Sequence, residues 1–163
     1  MPPSPRDVLA AYHRAMLSWS ADDLADLYAP DAVHEFPFFA PGTPGRYEGR
    51  EEVRAGYRAA WGASPVRLKE IHDVIVLDAA DPEVVIGQWG ASATSGPGTE
   101  PAAITGLLIL RVRDGLIVHA LDYMDTLGTC HALGRLPALL NGLGVERPDG
   151  ADPGDGAERH SSS

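Results

Sequence analysis

The sequence predicts an α+β fold in which a curved, mostly antiparallel sheet wraps around N-terminal helices and leaves a concave pocket between the two layers. Three observations predict it. Apolar residues recur at helical spacing in the first third of the chain. Long β-rich segments then follow one another from about residue 66 to residue 124. Asp114-Gly115 sits between two of those segments as a two-residue hairpin signal.

The first helix is expected over Asp7 to Leu17, where Val8, Leu9, Tyr12, Ala15 and Met16 share a face and Ser4-Pro5 supplies a cap and a first-turn proline. Ser20-Ala-Asp-Asp opens a second short helix with Leu24, Leu27 and Tyr28 on one side, and Pro30-Asp31 closes it. Val33 to Phe39 reads as a strand stopped by Ala-Pro-Gly-Thr-Pro-Gly. Gly49 leads into a third helix, residues 50–62, with Val53, Tyr57, Ala60 and Trp61 on one face. Residues 66–78 form a long strand whose imperfect alternation between Leu68 and Ile71 indicates a bulge or bend. Val84 to Ala93 is the next strand, and residues 95–101 are a Gly/Pro-rich hairpin loop. Ala103 to Arg113 and Leu116 to Met124 flank the Asp-Gly turn. A last helical piece spans Thr129 to Leu140, interrupted by Pro137.

With 163 residues the chain holds one domain. The folded body is expected at residues 5–145, after a disordered segment 1–4 and before an acidic, Gly/Pro-rich disordered tail, 146–163. A net charge of -10 argues against nucleic acid and against an anionic membrane surface as partners. The first residues lack a basic-then-apolar leader, so a cytoplasmic location is expected. The single cysteine, Cys130, excludes an internal disulfide, and the six scattered histidines show no metal-binding spacing. No phosphate loop or nucleophile elbow appears.

The order of elements, with the strings YAPDAVHEFP, YEGREEV and LRVRDGLIVHALDYMD, resembles the nuclear transport factor 2-like superfamily over about residues 5–140. It is most similar to the SnoaL-like polyketide cyclases and also to the phenazine biosynthesis A/B family. The resemblance implies a cone-shaped pocket within a cystatin-like α+β barrel. It places His34, Phe36 and Phe38 inward on the first long strand, Trp89 and Ala91 on a middle strand, and Ala120, Asp122 and Met124 on the last. It also implies a homodimer through the opposite sheet face, which would carry Glu35, His119, Leu121, Tyr123 and Asp125.

The chemistries of that superfamily match unequally. Tyr12 falls on the tyrosine of its ketosteroid isomerases, but Phe36 stands where their general base would be, and phenyl cannot take a proton. Asp122 matches the acid of the limonene epoxide hydrolases, whereas Trp89 and Ala91 replace their Arg and second Asp. Asp122 also matches the acid of the phenazine family, whose helical His and Ser become Gly56 and Ala60. Asp122 is therefore the first candidate for acid/base catalysis, with His34 and Tyr12 to polarise substrate oxygens. Phe36, Phe38, Tyr57, Trp61, Trp89 and Met124 would wall a flat, apolar, oxygenated substrate.

The expected function is a cofactor-free cyclase or isomerase of secondary metabolism acting on a polyketide-like intermediate. Three alternatives stand beside it: an epoxide-opening cyclase, a cycloaddition cyclase, and a non-catalytic binding protein for small hydrophobic molecules. Asp122 equally fits a structural carboxylate, His34 a buried hydrogen-bonded imidazole, and Tyr12 a helix-face packing residue.

Overall fold

The computed structural model describes residues 1–39 and 42–145; the expected tail at 146–163 lies outside them. Helix α1, Pro5–Ser18, starts at a capping box: the Ser4 hydroxyl accepts from the Asp7 amide, and the Asp7 carboxylate accepts from the Ser4 amide at 3.0 Å. It buries Val8, Leu9, Tyr12, His13 and Ala15. Helix α2, Ala21–Ala25, begins where the Ser20 hydroxyl accepts from the Asp23 amide at 3.1 Å.

Strand β1 runs Tyr28–Glu35, so Tyr28 opens a strand and does not close the second helix as expected. The same strand ends at Glu35, short of the expected Phe39. Pro37 has no N–H to continue a ladder, and the chain turns there. The Phe36 amide donates instead to the Gly45 carbonyl at 2.9 Å. That return brings in β2, Arg46–Glu48, a three-residue strand that the sequence reading did not anticipate. It pairs antiparallel with β1, setting Tyr47 beside His34.

Helix α3, Arg50–Ala63, buries Val53 and Tyr57. Arg54 fastens it to α2 through Asp22 and Asp26, each at 2.8 Å, and Arg50 donates to the Tyr28 carbonyl at 2.7 Å. Strands β3 (Arg67–Asp78), β4 (Val84–Thr94), β5 (Ala102–Arg113) and β6 (Leu116–Met124) complete the sheet. β3 shifts register between Leu68 and Glu70, where a bend was expected, and again between His72 and Ile75. The β5–β6 turn has positive φ at both Asp114 and Gly115, the geometry of a tight primed hairpin. Beyond it lie α4, Thr126–Ala132, and α5, Leu136–Gly142. The single interrupted helix expected at Thr129–Leu140 is thus two helices: Pro137 sits in the first turn of α5, where its missing N–H costs nothing.

The six strands lie in the order β2-β1-β6-β5-β4-β3. Every neighbouring pair is antiparallel except β1 and β6. The core lies between the concave face and the helices, with Leu9, Tyr12, Leu24, Val53 and Tyr57 meeting Val85, Trp89, Leu108, Leu110 and Ala120. No described helix is long and apolar enough to cross a membrane.

Candidate active site

The parallel pairing of β1 and β6 sets His34 opposite Ala120. Side chains alternate along a strand, so Asp122, two residues on, shares the concave face with His34. Helix α1 lowers Tyr12 onto this pair and α3 lowers Tyr57. The result is a buried polar cluster in an otherwise apolar core, with Asp122 6% and His34 0% exposed.

Tyr57 is its hub. Its hydroxyl donates to Asp122 Oδ2 at 3.2 Å, meets the Tyr12 hydroxyl at 2.9 Å, and lies 3.3 Å from His34 Nε2. On the far side of the imidazole, the Tyr28 hydroxyl lies 2.7 Å from Nδ1. His34 Nε2 is 3.8 Å from Asp122 Oδ2, beyond direct hydrogen bonding, with Tyr57 in reach of both.

Burial decides the charges. Removal from water raises the Asp122 carboxyl to about 7, and the Tyr57 hydrogen bond opposes part of that rise. Burial, with His119 adding to it, lowers His34 to about 3. The imidazole is therefore neutral at pH 7, and its approach to Asp122 is not an ion pair. Burial also drives Tyr12, Tyr28 and Tyr57 well above the ordinary phenol range.

Buried polar atoms without a hydrogen-bond partner among the described residues include Asp122 Oδ1, an acceptor when ionised, and Trp89 Nε1–H, a donor. Trp89 is 1% exposed. Its indole lies flat across Gly106, where a Cβ would come within 2.5 Å of the ring. His13, edge-on to Trp89 at 6.4 Å, has an unpartnered Nε2 as well.

The structure brings Tyr12, His34 and Asp122 together, and it joins Tyr57 to them by hydrogen bonds where the sequence reading gave it only a wall role. Phe36 and Trp61 are half-buried and in ring contact with Tyr57, at 6.3 and 5.0 Å between centroids. Trp61 also stacks on Trp19 at 4.7 Å. Met124 is half-buried against the core. Phe38 does not face inward. It lies past the end of β1, 65% exposed, with its ring 5.3 Å from Tyr123 on the convex face. The turn at Pro37 breaks the alternation that the inward assignment relied on.

Tyr28 and Tyr47 were not singled out as site residues. Tyr28 offered no signal, because it lies at the switch from helix to strand and the register shifts between it and Val33. Tyr47 offered none, because a three-residue strand shows no period. Its ring lies 6.3 Å from His34 and packs over Gly56, the position where the phenazine family carries His. Phe38, Thr105, Leu107, Tyr123 and Leu127 line a groove of about 600 Å³ that also touches Gly106 and Met124. Among the described residues, Tyr12, His34, Tyr57 and Asp122 are not part of its lining.

A family model for the SnoaL-like domain matches residues 9–120. An uncharacterized PhzA/B-like protein of Pseudomonas aeruginosa is 31% identical over 133 residues, 82% of this chain and 92% of that protein. Among solved structures, a Bacillus subtilis protein provisionally named an isomerase superposes with a TM-score of 0.71 at 24% identity, over 80% of this chain and 93% of its own. A Xanthomonas campestris protein provisionally named a polyketide cyclase does so at 0.62 and 18%, over 78% and 95%. At these identities the two structures speak for the fold alone. The match of the domain model along most of the chain, with the level of identity to the Pseudomonas protein, shows that this chain belongs to the SnoaL-like family of the nuclear transport factor 2-like superfamily.

Proposed function

We propose that the protein is a cofactor-free cyclase or isomerase that acts on an apolar, polyketide-like carbonyl compound by proton transfer at Asp122. One observation carries this reading. A buried carboxyl, raised to about 7, has one oxygen held by Tyr57 and the other unpartnered. The names of the similar structures, isomerase and polyketide cyclase, support the same reaction class.

In the proposed cycle Asp122 Oδ1 takes a proton from the carbon beside a substrate carbonyl. The C–H electron pair moves into the enolate, and the negative charge collects on its oxygen. The Trp89 indole N–H, a donor without a partner among the described residues, stabilises that oxygen. Tyr12, whose hydroxyl already meets Tyr57, acts through Tyr57 and not on the substrate. For ring closure the enolate carbon attacks a second carbonyl carbon of the same molecule, and Asp122 returns its proton to the new alkoxide. For isomerisation the proton returns to a different carbon. Phe36, Tyr47 and Trp61 stand against Tyr57 and must swing aside to admit substrate, after which they exclude water.

The test is incubation of wild type and Asp122→Asn with aromatic polyketides, epoxy-alcohols, polyenes and steroids, reading mass and retention time. A compound converted by wild type and recovered intact from the variant supports the reading. Conversion by both proteins would contradict it and favour a cavity that only shapes its substrate. A compound that stabilises both and is recovered intact from both favours the binding-protein alternative.

We also propose a homodimer through the convex face, in the cytoplasm. Leu107, Leu121 and Tyr123 share that face with Phe38, and the Glu35–His119 pair, at 3.3 Å, lies beside them. Sedimentation should show a dimer that Leu121→Glu converts to monomer.

A further inference from the structure

We propose that Tyr28 and Tyr57 are positioning residues that make His34 a reversible relay for Asp122, its single proton lying on Nε2 when Asp122 is ionised and on Nδ1 when Asp122 is protonated. The buried cluster holds few hydrogens, and each needs an acceptor within it. His34 is fully buried and both its nitrogens face tyrosine hydroxyls, Tyr28 at 2.7 Å from Nδ1 and Tyr57 at 3.3 Å from Nε2. A neutral imidazole owns one hydrogen and each phenol owns one, so every direction in the cluster depends on its neighbours.

With Asp122 ionised, the Tyr57 hydrogen goes to Oδ2, its strongest acceptor. Tyr57 then has no hydrogen left for His34, so Nε2 must carry one and donate to the Tyr57 oxygen. Nδ1 is bare and accepts from Tyr28, while Tyr12 donates to Tyr57. Every hydrogen has an acceptor.

With Asp122 protonated and no substrate at Oδ1, a hydrogen on that atom would have no acceptor among the described residues, and rotation of the carboxyl brings it to the Tyr57 side. The hydrogen therefore sits on Oδ2 and donates to the Tyr57 oxygen. Tyr57 turns its own hydrogen to Nε2, the imidazole carries its proton on Nδ1 and donates to the Tyr28 oxygen, and Tyr28 turns its hydrogen toward the neighbouring Tyr12 hydroxyl, with which it interacts. Every hydrogen again has an acceptor. Three links reverse together, from Asp122 to Tyr57, from Tyr57 to His34 and from His34 to Tyr28, so Asp122 can take or give a proton without stranding a buried polar group.

The titratable groups facing His34 and Asp122 are Tyr12 from α1, Tyr28 from β1, Tyr47 from β2 and Tyr57 from α3; their phenols are all held above their ordinary range by burial. On β6, His119 lies near His34 and is paired with Glu35. The catalytic meaning of the relay rests on the acid/base role of Asp122 given above. The relay itself is a statement about which nitrogen holds a proton.

The experiment is long-range ¹H–¹⁵N correlation of the imidazoles in the whole protein from pH 5 to pH 9, beside ¹³C shifts of labelled aspartate carboxyls. The expected result is a neutral His34 throughout, whose proton moves from Nδ1 to Nε2 at the midpoint of the Asp122 carboxyl. Tyr57→Phe should abolish the move while Asp122 still titrates, and Tyr28→Phe should hold the proton on Nε2 at every pH. His119→Gln should leave the exchange in place. A His34 that becomes imidazolium within the range, or keeps its proton on one nitrogen while Asp122 titrates, overturns the relay. If Asp122 stays ionised throughout, the acid/base reading fails. A proton on Nε2 then supports the relay's ionised arrangement, and a proton on Nδ1 overturns that too.

Discussion

Tyr57 donates its phenolic hydrogen to Asp122 across 3.2 Å, tying helix α3 to the last strand of the sheet at the deepest polar point of the core. The bond holds one carboxylate oxygen and leaves the other without a partner among the described residues. It is also the one interaction that opposes the upward push of burial on the carboxyl.

Removing that bond should therefore raise Asp122 further. Where proton abstraction limits turnover, the rate of wild type should rise with pH around a midpoint near 7. Tyr57→Phe should move the midpoint to higher pH and lower the plateau. A midpoint that stays in place would show that Tyr57 does not set the basicity of Asp122.

Asp122→Asn should abolish turnover, by about 100-fold or more if general-base catalysis is lost. It should also stabilise the protein in alkaline solution. The folded carboxyl titrates at about 7 against an ordinary 3.8, so protonation favours the fold and ionisation works against it. The penalty is absent below pH 4, grows as the pH rises, and is complete above about 7, on the order of 4 kcal/mol. Urea titrations at pH 5 and pH 8 should find the variant's advantage much larger at pH 8.

His34 carries the opposite sign. Its folded value of about 3 lies below the ordinary 6.5, so its contribution is complete above 6.5 and is lost as the pH falls. Between pH 4 and 6.5 the two groups oppose each other. Their combined contribution to wild-type stability should be nearly flat there. Asp122→Asn should expose the His34 slope, with stability rising with pH. His34→Gln should expose the Asp122 slope, with stability falling.

Gly106→Ala should strike Trp89. The added methyl would sit 2.5 Å from the indole, so the ring must shift. Overpacking of this kind costs about 1–3 kcal/mol. Fluorescence of the Trp19→Phe, Trp61→Phe background, in which Trp89 is the remaining tryptophan, should change wavelength. Under the proposed mechanism turnover should fall with it.

What the sequence made legible was whatever depended on regular alternation. Trp89 and Asp122 lie on long strands where period two holds, and both point to the concave face as expected. His34 was reached the same way on β1. Phe38 failed because the strand ends at Glu35, before Pro37, and not at Phe39 as the aromatic run implied. Tyr28 was hidden at the switch from helix to strand, where its apolar neighbours Leu24 and Leu27 fit a helical face equally well. Tyr47 was hidden because β2 is held by pairing with β1 across a Gly/Pro-rich return, a long-range contact with no local pattern. The hydrogen bonds at Tyr57 were out of reach for another reason. Helical spacing showed that Tyr57 is buried, but only the packing angle of α3 against β1 and β6 decides which atoms its hydroxyl meets.

The central claim is that Asp122 exchanges a proton near neutrality inside a sealed cluster. Its most direct test is the ¹³C carboxyl shift of Asp122 against pH, assigned by its loss in Asp122→Asn. The account predicts a midpoint near 7, well separated from the other aspartates. A midpoint below 5 would contradict it and make Asp122 a structural carboxylate.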